Sequence, residues 1–264
     1  MITERLYKVR IAYEGTPFAG FQTQARERLL PTVQDLLEER LSKLFAQPIA
    51  IVVAGRTDAG VHALEQVFSF RASNFRPPQV VYQALNALLP GSVRALGVEL
   101  EEPPFHARFS ATYRRYQYLI KDGAAVEPFF RDRILYYPRP LDLERMQRGA
   151  NYLLGTHDFA TFSSQVPAGS STVRHLEELS LRRQGVSGPP PFEGIGELIV
   201  MELKGSAFLR RMVRLICAAL LRVGSGKWEA EEVAAILAKR NPRFAPPPAH
   251  PAGLYFKGVG YAQD

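Results

Sequence analysis

The segment AGRTDAGVHA, residues 54–63, carries the side chains best suited to chemistry in this sequence. It follows the apolar run IAIVV and sets Arg56, Thr57 and Asp58 between two glycines. Glycines let a backbone approach a bulky ligand closely, and a neighbouring arginine favours the ionised form of a carboxylate even where water is removed. An ionised, partly desolvated carboxylate is a competent nucleophile. The segment therefore predicts covalent catalysis by Asp58.

Other kinds of site fit this segment less well. A phosphate-binding loop would need Lys and Ser or Thr where Val61 and His62 stand, and Asp58 would repel the anion. Asp58 and His62 have no third metal ligand nearby in the sequence, and no Gly-x-Ser-x-Gly segment offers a serine nucleophile. One alternative stays open: a plain turn in which Asp58 hydrogen-bonds backbone amides and Arg56 pairs with it.

The composition is that of a folded protein, and its net charge of +7 fits either a polyanionic partner or solubility alone. The chain has 264 residues, of which 46% are hydrophobic, and this length suits one large domain or two of about 130 residues. Lys and Arg outnumber Asp and Glu by 33 to 26, which favours nucleic acid ahead of an acidic membrane surface. A single cysteine, Cys217, excludes a disulfide scaffold and a Cys-based zinc site. No apolar stretch approaches the ~20 residues that span a bilayer, so we expect a cytoplasmic protein.

Hydrophobic periodicity predicts the elements that must position the Asp58 segment. Alternating or β-rich runs predict strands at 7–13, 49–54, 66–70, 92–100, 112–120, 172–184 and 196–204, and a final edge strand at 253–261. Helical spacing predicts helices at 33–45, with Thr32 as N-cap, and at 78–89, 142–154 and 208–223. We therefore expect an α+β fold of two similar halves, 1–104 and 105–264. Each half would be an antiparallel or mixed sheet covered by helices on one face, with a cleft between the halves.

Several segments resemble motifs of one family of RNA-modifying enzymes. GRTDAGVHA (55–63) resembles the signature of the tRNA pseudouridine synthase A family. Five further segments resemble that family's other motifs in the same order: YEGTPFAGFQTQ (13–24), FHARFSATYRRYQYLI (105–120), GTHDFATFSS (155–164), FLRRMVRLICAALLRVGSG (208–226) and APPPAHPAGLYF (245–256).

The resemblance implies the pseudouridine synthase fold and an isomerase that works by intramolecular transfer. Its members convert uridine to pseudouridine at positions 38–40 of the tRNA anticodon stem-loop, as homodimers that need no cofactor or metal. Asp58 would attack a uridine flipped out of the RNA helix, either at C1′ of the ribose or at C6 of the uracil. Residues 1–104 would carry this aspartate, and 105–264 would carry the tyrosine and arginine of the cleft.

The same resemblance gives roles to further residues. Tyr116 would stack on the uracil and assist at the C5 proton. Arg214 would form an ion pair with Asp58, and Arg56 would contact phosphate or fill the space that the flipped nucleotide leaves. Leu254 would form an apolar wall of the pocket.

The basic excess predicts a surface that tracks RNA phosphates. Its candidate residues are Arg26, Arg28, Arg108, Arg114, Arg115, Arg210, Arg211 and Arg222. Two alternatives stay open beside the isomerase. A non-catalytic protein that binds structured RNA would share the basic surface and the interleaved aromatics of YRRYQY. A nucleoside glycosidase would also use an aspartate, but it would usually need a second carboxylate as acid.

Overall fold

The computed structural model describes residues 4–23, 29–123, 125–165, 169–188 and 195–262. Within these ranges the chain forms ten strands and five α-helices, and it divides into two compact units. Unit 1 comprises Met1–Thr112 and Tyr255–Asp264, and unit 2 comprises Tyr113–Leu254. No helix of the described part is both long and apolar enough to cross a membrane.

The elements are named in chain order. The strands are β1 (Arg5–Tyr13), β2 (Val52–Val53), β3 (His62–Ala72), β4 (Val93–Glu101), β5 (Ala111–Asp122), β6 (Leu135–Tyr137), β7 (Gly155–Asp158), β8 (Val173–Val186), β9 (Gly196–Gly205) and β10 (Leu254–Tyr261). The α-helices are α1 (Val33–Phe45), α2 (Pro78–Leu88), α3 (Leu143–Asn151), α4 (Met212–Gly224) and α5 (Glu231–Ala238).

Unit 1 is a mostly antiparallel sheet with two helices. Its strands lie in the order β4, β1, β3, β10, and the short β2 also pairs with β3. The pairs of β1 are antiparallel, whereas β10 runs parallel to β3. The rings of Tyr7, Phe45 and Phe70 pack with their centroids 4.9 to 5.4 Å apart, where α1 meets the sheet. Aromatic burial of this kind holds α1 on β1 and β3.

Unit 2 is built on a second antiparallel set of strands, in the order β5, β9, β8, β7, with β6 parallel to β5. Its helices α3, α4 and α5 approach closely because α3 carries a glycine at their contact. A Cβ at Gly149 would lie 3.3 Å from side-chain atoms of Leu220 and Val233. The predicted α+β fold class is confirmed.

The predicted cap of α1 is confirmed in full. The Thr32 hydroxyl accepts a hydrogen bond from the Asp35 N–H at 3.1 Å, and the Asp35 carboxylate accepts one from the Thr32 N–H at 3.2 Å. This reciprocal pair satisfies two amide groups that the start of a helix leaves without partners.

Several predicted bounds are wrong for physical reasons. The predicted strand 49–54 shrinks to β2, because the amides of Ile49 and Ile51 donate to side chains of α1. The predicted helix 208–223 begins only at Met212, because Arg211 has a left-handed backbone (φ 62°) that cannot belong to a right-handed helix. The predicted helix 142–154 ends at Asn151. The prediction missed α5, which has only 8 residues, and the short strands β6 and β7.

The final strand, predicted to be an edge strand, is not one. On one side β10 pairs with β3. On its other side, at the start of β5, the Thr112 hydroxyl donates to the Gly260 carbonyl at 3.0 Å. The Tyr261 phenol also donates to the Ala107 carbonyl at 2.9 Å. Unit 1 therefore differs from the predicted half 1–104, because it includes 105–112 and the strand β10.

Candidate active site

Asp58 lies in the loop that joins β2 to β3. The preceding residue, Thr57, is buried, and its hydroxyl shares a 2.8 Å hydrogen bond with the Tyr13 phenol. The Thr57 carbonyl accepts the Phe21 N–H at 3.0 Å, and the Asp58 carbonyl accepts the Val61 N–H at 3.2 Å. Thr57 thus fixes the loop from its buried side, while the Asp58 side chain is only half-buried. This combination of a rigid backbone and an accessible carboxylate suits a nucleophile.

Two glycines of YEGTPFAGF let the segment after β1 pack against the Asp58 loop. A Cβ at Gly15 would lie 2.1 Å from the Val61 carbonyl oxygen. A Cβ at Gly20, whose φ is +99°, would lie 2.9 Å from the Thr57 carbonyl oxygen. Any larger residue at these positions would displace the backbone on either side of Asp58.

His62 and Tyr13 support the loop from the core of unit 1. His62 is buried, its Nδ1 accepts the Gly15 N–H at 3.2 Å, and its ring stacks on Tyr255 at 4.8 Å. Burial raises the pKa of Tyr13 to about 12, although hydrogen bonds with Thr57 and Gln66 oppose the rise. The Tyr13 phenol therefore acts as a neutral structural group at ordinary pH. In the described part of the chain, no group of three or more His, Cys, Asp or Glu side chains could hold a metal ion.

The positive charge of Arg108 acts electrostatically on the Arg56 guanidinium. The pKa of the Arg56 guanidinium is lowered, first because partial burial penalises the cation and second because Arg108 repels it. Two guanidinium groups near each other form a site that attracts an anion such as phosphate. The structure thus brings together two arginines that the sequence analysis assigned separately.

In unit 2, Tyr116 and Tyr118 lie on the buried face of β5, as their alternation predicts. The Tyr116 side chain is 8% exposed, and its ring packs edge-on against Phe208 with centroids 4.9 Å apart. Tyr118 is fully buried, and its phenol donates to the His250 carbonyl. Tyr116 is therefore held at a fixed angle, and a little of its surface is accessible.

Neighbouring arginines of β5 have different environments. Arg114 is 8% exposed, and its Nη1 donates to the Ser206 carbonyl at 2.8 Å. This bond supports a structural role more than an RNA contact. Arg115 is exposed and lies across from Lys204 in the strand pair β5–β9. Both cations lie over the Tyr113 ring, 5.1 and 4.7 Å from its centroid.

Arg214 lies in the first turn of α4 and is half-buried. Its Nε donates to the Ala249 carbonyl at 2.8 Å, and its own carbonyl accepts the Ala249 N–H at 3.1 Å. These two hydrogen bonds between Arg214 and Ala249 fix the guanidinium against the Pro-rich segment 245–251. Leu254, at the first position of β10, is buried.

The remaining predicted arginines lie outside α4 or at its end. Arg211 is exposed and immediately precedes the helix, so it does not share a helical flank with Arg214. The Arg210 guanidinium donates to Gln165, and that of Arg222 lies over the Trp228 ring at 4.9 Å. Two further predicted residues, Arg26 and Arg28, lie outside the described residues.

Comparison with known proteins gives the chemistry that these side chains serve. A family model described as tRNA pseudouridine synthase matches residues 10–110 and 150–262. The chain belongs to the tRNA pseudouridine synthase family. It is accordingly an isomerase that acts on uridine in tRNA, and the predicted family and activity are confirmed. Asp58, Arg56, Arg214 and Leu254 fall within the ranges that this family model matches, whereas Tyr116 lies between them.

Relatives of the tRNA pseudouridine synthase family align with almost the whole chain. A tRNA pseudouridine synthase A of Caulobacter vibrioides is 38% identical over 256 residues, covering 97% of this chain and 98% of that protein. The protein of that name from Lacticaseibacillus casei is 36% identical over 256 residues, covering 97% and 99%. The one from Francisella tularensis subsp. tularensis is 35% identical over 257 residues, covering 97% and 94%.

The sequence analysis of this tRNA pseudouridine synthase family member did not single out two rings beside Arg108, the exposed Phe109 and the half-buried His106. Phe109 is 76% exposed, and its ring stacks on His106. A signal was present in FHARFS, where an aromatic residue follows an arginine in a loop. Exposed aromatics beside arginine are typical of surfaces on which RNA bases stack.

Proposed function

We propose that this chain converts uridine to pseudouridine at positions 38–40 of the tRNA anticodon stem-loop, with Asp58 as the nucleophile. The observation that carries this proposal is the half-buried Asp58 side chain on a loop that the buried Thr57 fixes. A carboxylate with a fixed backbone and an accessible side chain can be positioned for attack on a nucleotide that has flipped out of its helix.

The isomerisation needs no redox partner. The N1–C1′ bond breaks, the uracil turns, C5 bonds to C1′, the C5 proton leaves, and N1 takes up a proton. Asp58 forms a transient bond with C1′ or with C6 and is released when the new bond is complete. The detached uracil must stay in a confined site, or hydrolysis would compete with reattachment.

We assign supporting roles to three residues of unit 2. Tyr116 stacks on the uracil, a role supported by the Phe208 ring, which packs edge-on against it and fixes its orientation. Leu254 provides apolar surface to the same base. Arg214 forms an ion pair with Asp58, a role supported by the Ala249 carbonyl, which fixes the orientation of its guanidinium.

The exposed cations provide the RNA-binding surface of this proposal. Arg56, Arg108, Arg115 and Arg211 all have accessible side chains, which suits contact with phosphates. Arg114 is left out because it is buried and donates to a backbone carbonyl. We further propose that the enzyme works as a homodimer in the cytoplasm, where tRNA is modified.

The test measures tritium release from tRNA labelled at C5 of uridine. The wild-type chain releases tritium, whereas Asp58→Asn binds the tRNA and releases none. Asp132→Asn removes a partly exposed acid of unit 2 and serves as the matched control, with release like that of the wild type. Equal release by Asp58→Asn would remove this residue from the mechanism. A pure RNA-binding protein would release none in any form, and a glycosidase would liberate uracil.

A further inference from the structure

The turn at 106–110 presents an aromatic and cationic cluster to solvent. Phe109 is 76% exposed, and its ring stacks on His106 with centroids 4.4 Å apart. The Arg108 guanidinium lies 5.3 Å from the centroid of the same ring. We call these three side chains the Phe109 cluster. Among the large apolar side chains of the described residues, Phe109 is one of the most exposed, and its ring lies against an imidazole and a guanidinium at the surface.

Hydrogen bonds within the turn hold the cluster in place. The N–H groups of Arg108 and Phe109 both donate to His106 Nδ1 at 3.2 Å. The His106 N–H donates to the Ser110 hydroxyl at 3.0 Å, and the Ser110 N–H donates to the His106 carbonyl at 2.9 Å. The His106 ring therefore has a fixed orientation against Phe109. A ring ordered in advance loses little conformational entropy when a ligand binds.

The cluster and the Asp58 loop begin from the same part of the core of unit 1. Ala107 is fully buried in one hydrophobic cluster with Ala54, which is the first residue of AGRTDAG. Arg108 follows Ala107 and acts electrostatically on Arg56, two residues after Ala54. The Phe109 cluster is thus anchored beside the loop that carries Asp58.

We propose that the Phe109 cluster is a stacking site for an unpaired base of the substrate RNA near the target uridine, and that Arg56 and Arg108 hold an adjoining phosphate. This inference rests on the proposed function and names a contact within the same substrate. Unpaired RNA bases are bound by stacking on aromatic rings and guanidinium planes, and paired arginines bind phosphate. Phe109 is accordingly a positioning residue that contacts a neighbouring nucleotide and not the reacting atoms.

The test compares two exposed phenylalanines of unit 1, Phe109 and Phe75, which is 56% exposed. Each is changed to Ala in the Asp58→Asn background, and the affinity for an anticodon stem-loop RNA is measured at constant salt. Phe109→Ala weakens binding about tenfold, the order expected for one lost base stack. Phe75→Ala leaves the affinity unchanged. Phe109→Trp keeps the affinity of the protein that has Phe109, whereas Phe109→Leu binds more weakly, because leucine has no π face. A melting curve for each variant confirms that it is folded.

A second measurement locates the stacked base. Stem-loop RNAs carrying 2-aminopurine at single unpaired positions lose fluorescence when the base stacks, and Phe109→Ala prevents that loss at one position only. The stacking site would be overturned by equal affinity for Phe109→Ala and Phe75→Ala, or by full affinity for Phe109→Leu. In either case, tritium release by the wild-type chain would still support the proposed function. Absence of release by the wild-type chain would instead overturn the proposed function, and with it the assignment of the stacked base to a substrate.

Discussion

The Tyr13 phenol and the Thr57 hydroxyl share a buried 2.8 Å hydrogen bond, one residue before the proposed nucleophile. This bond joins the end of β1 to the loop that holds Asp58. A hydrogen bond from a strand restrains the loop that it reaches, and positional rigidity is what an attacking group requires.

Tyr13→Phe should destabilise unit 1 and slow turnover together. The change leaves the buried Thr57 hydroxyl without this partner, at a cost of about 1 to 3 kcal/mol. Urea unfolding measures the loss of stability, and tritium release measures turnover. Combining Tyr13→Phe with Thr57→Val removes both polar groups and should recover part of the stability. A double variant whose loss equals the sum of the single losses would show that the two hydroxyls are not coupled.

The stability of the protein should also depend on Tyr13 at high pH. The folded pKa of Tyr13 is raised to about 12, against an ordinary value of 10.0. The contribution is fully present below pH 10 and is lost as pH rises through about 12, because the unfolded chain loses the proton first. The free energy of unfolding should therefore fall more steeply over this range for wild type than for Tyr13→Phe. Parallel curves for the two proteins would contradict the raised pKa.

Gly20→Ala should reduce turnover by displacing the Asp58 loop. The backbone at Gly20 has φ +99°, and an added Cβ would lie 2.9 Å from the Thr57 carbonyl oxygen. The cost in stability should exceed about 1 kcal/mol, because both the conformation and the space disfavour a side chain. Gly91→Ala is the matched control, since a Cβ there meets nothing within 4 Å. Similar tritium release by the two variants would show that the loop tolerates the shift.

Arg214→Lys should keep the charge and lose most of the turnover. Lysine cannot reproduce the Nε–H bond to the Ala249 carbonyl, which is 2.8 Å long in this structure. It also has no planar fork for a carboxylate. Arg222→Lys, in the same helix, should release tritium at nearly the wild-type rate. If Arg214→Lys retained full kcat, charge alone would be sufficient at this position.

Arg56→Gln and Arg108→Gln should each weaken RNA binding more at low salt than at high salt. Each lost phosphate contact reduces the slope of log affinity against log salt by about 1. The exposed Arg71, on β3, provides a control in which the slope is unchanged on replacement by Gln. Equal slopes for all three variants would argue against a phosphate between Arg56 and Arg108.

Local signals in the sequence were sufficient to predict α1 and α2 and to single out the loop that carries Asp58. The cap of α1 is formed by Thr32 and Asp35, which are three positions apart, so a short sequence motif contains the whole interaction. The glycines on either side of Asp58 were expected to let a ligand approach, but the structure gives other reasons for them. A Cβ at Gly55 would lie 2.8 Å from the Phe256 ring, and Gly60 has φ +75°.

Long-range contacts could not be predicted in the same way. The pairing of Tyr255 with His62 joins residues far apart in sequence, and it determines that β10 belongs to unit 1. Nor does the sequence distinguish Arg114, which is buried, from Arg115, which is exposed, without knowledge of which face of β5 packs inward. The left-handed backbone of Arg211 likewise depends on tertiary structure, because nothing in its neighbours forbids a helix.

The parallel pairing of β10 with β3 has a consequence for biosynthesis. Unit 1 is discontinuous, and all of unit 2 is translated before the ring of Tyr255 can reach His62. In the nascent chain, the loop that carries Asp58 therefore leaves the ribosome well before β10 does. The sheet of unit 1 can therefore be completed only after β10 has left the exit tunnel.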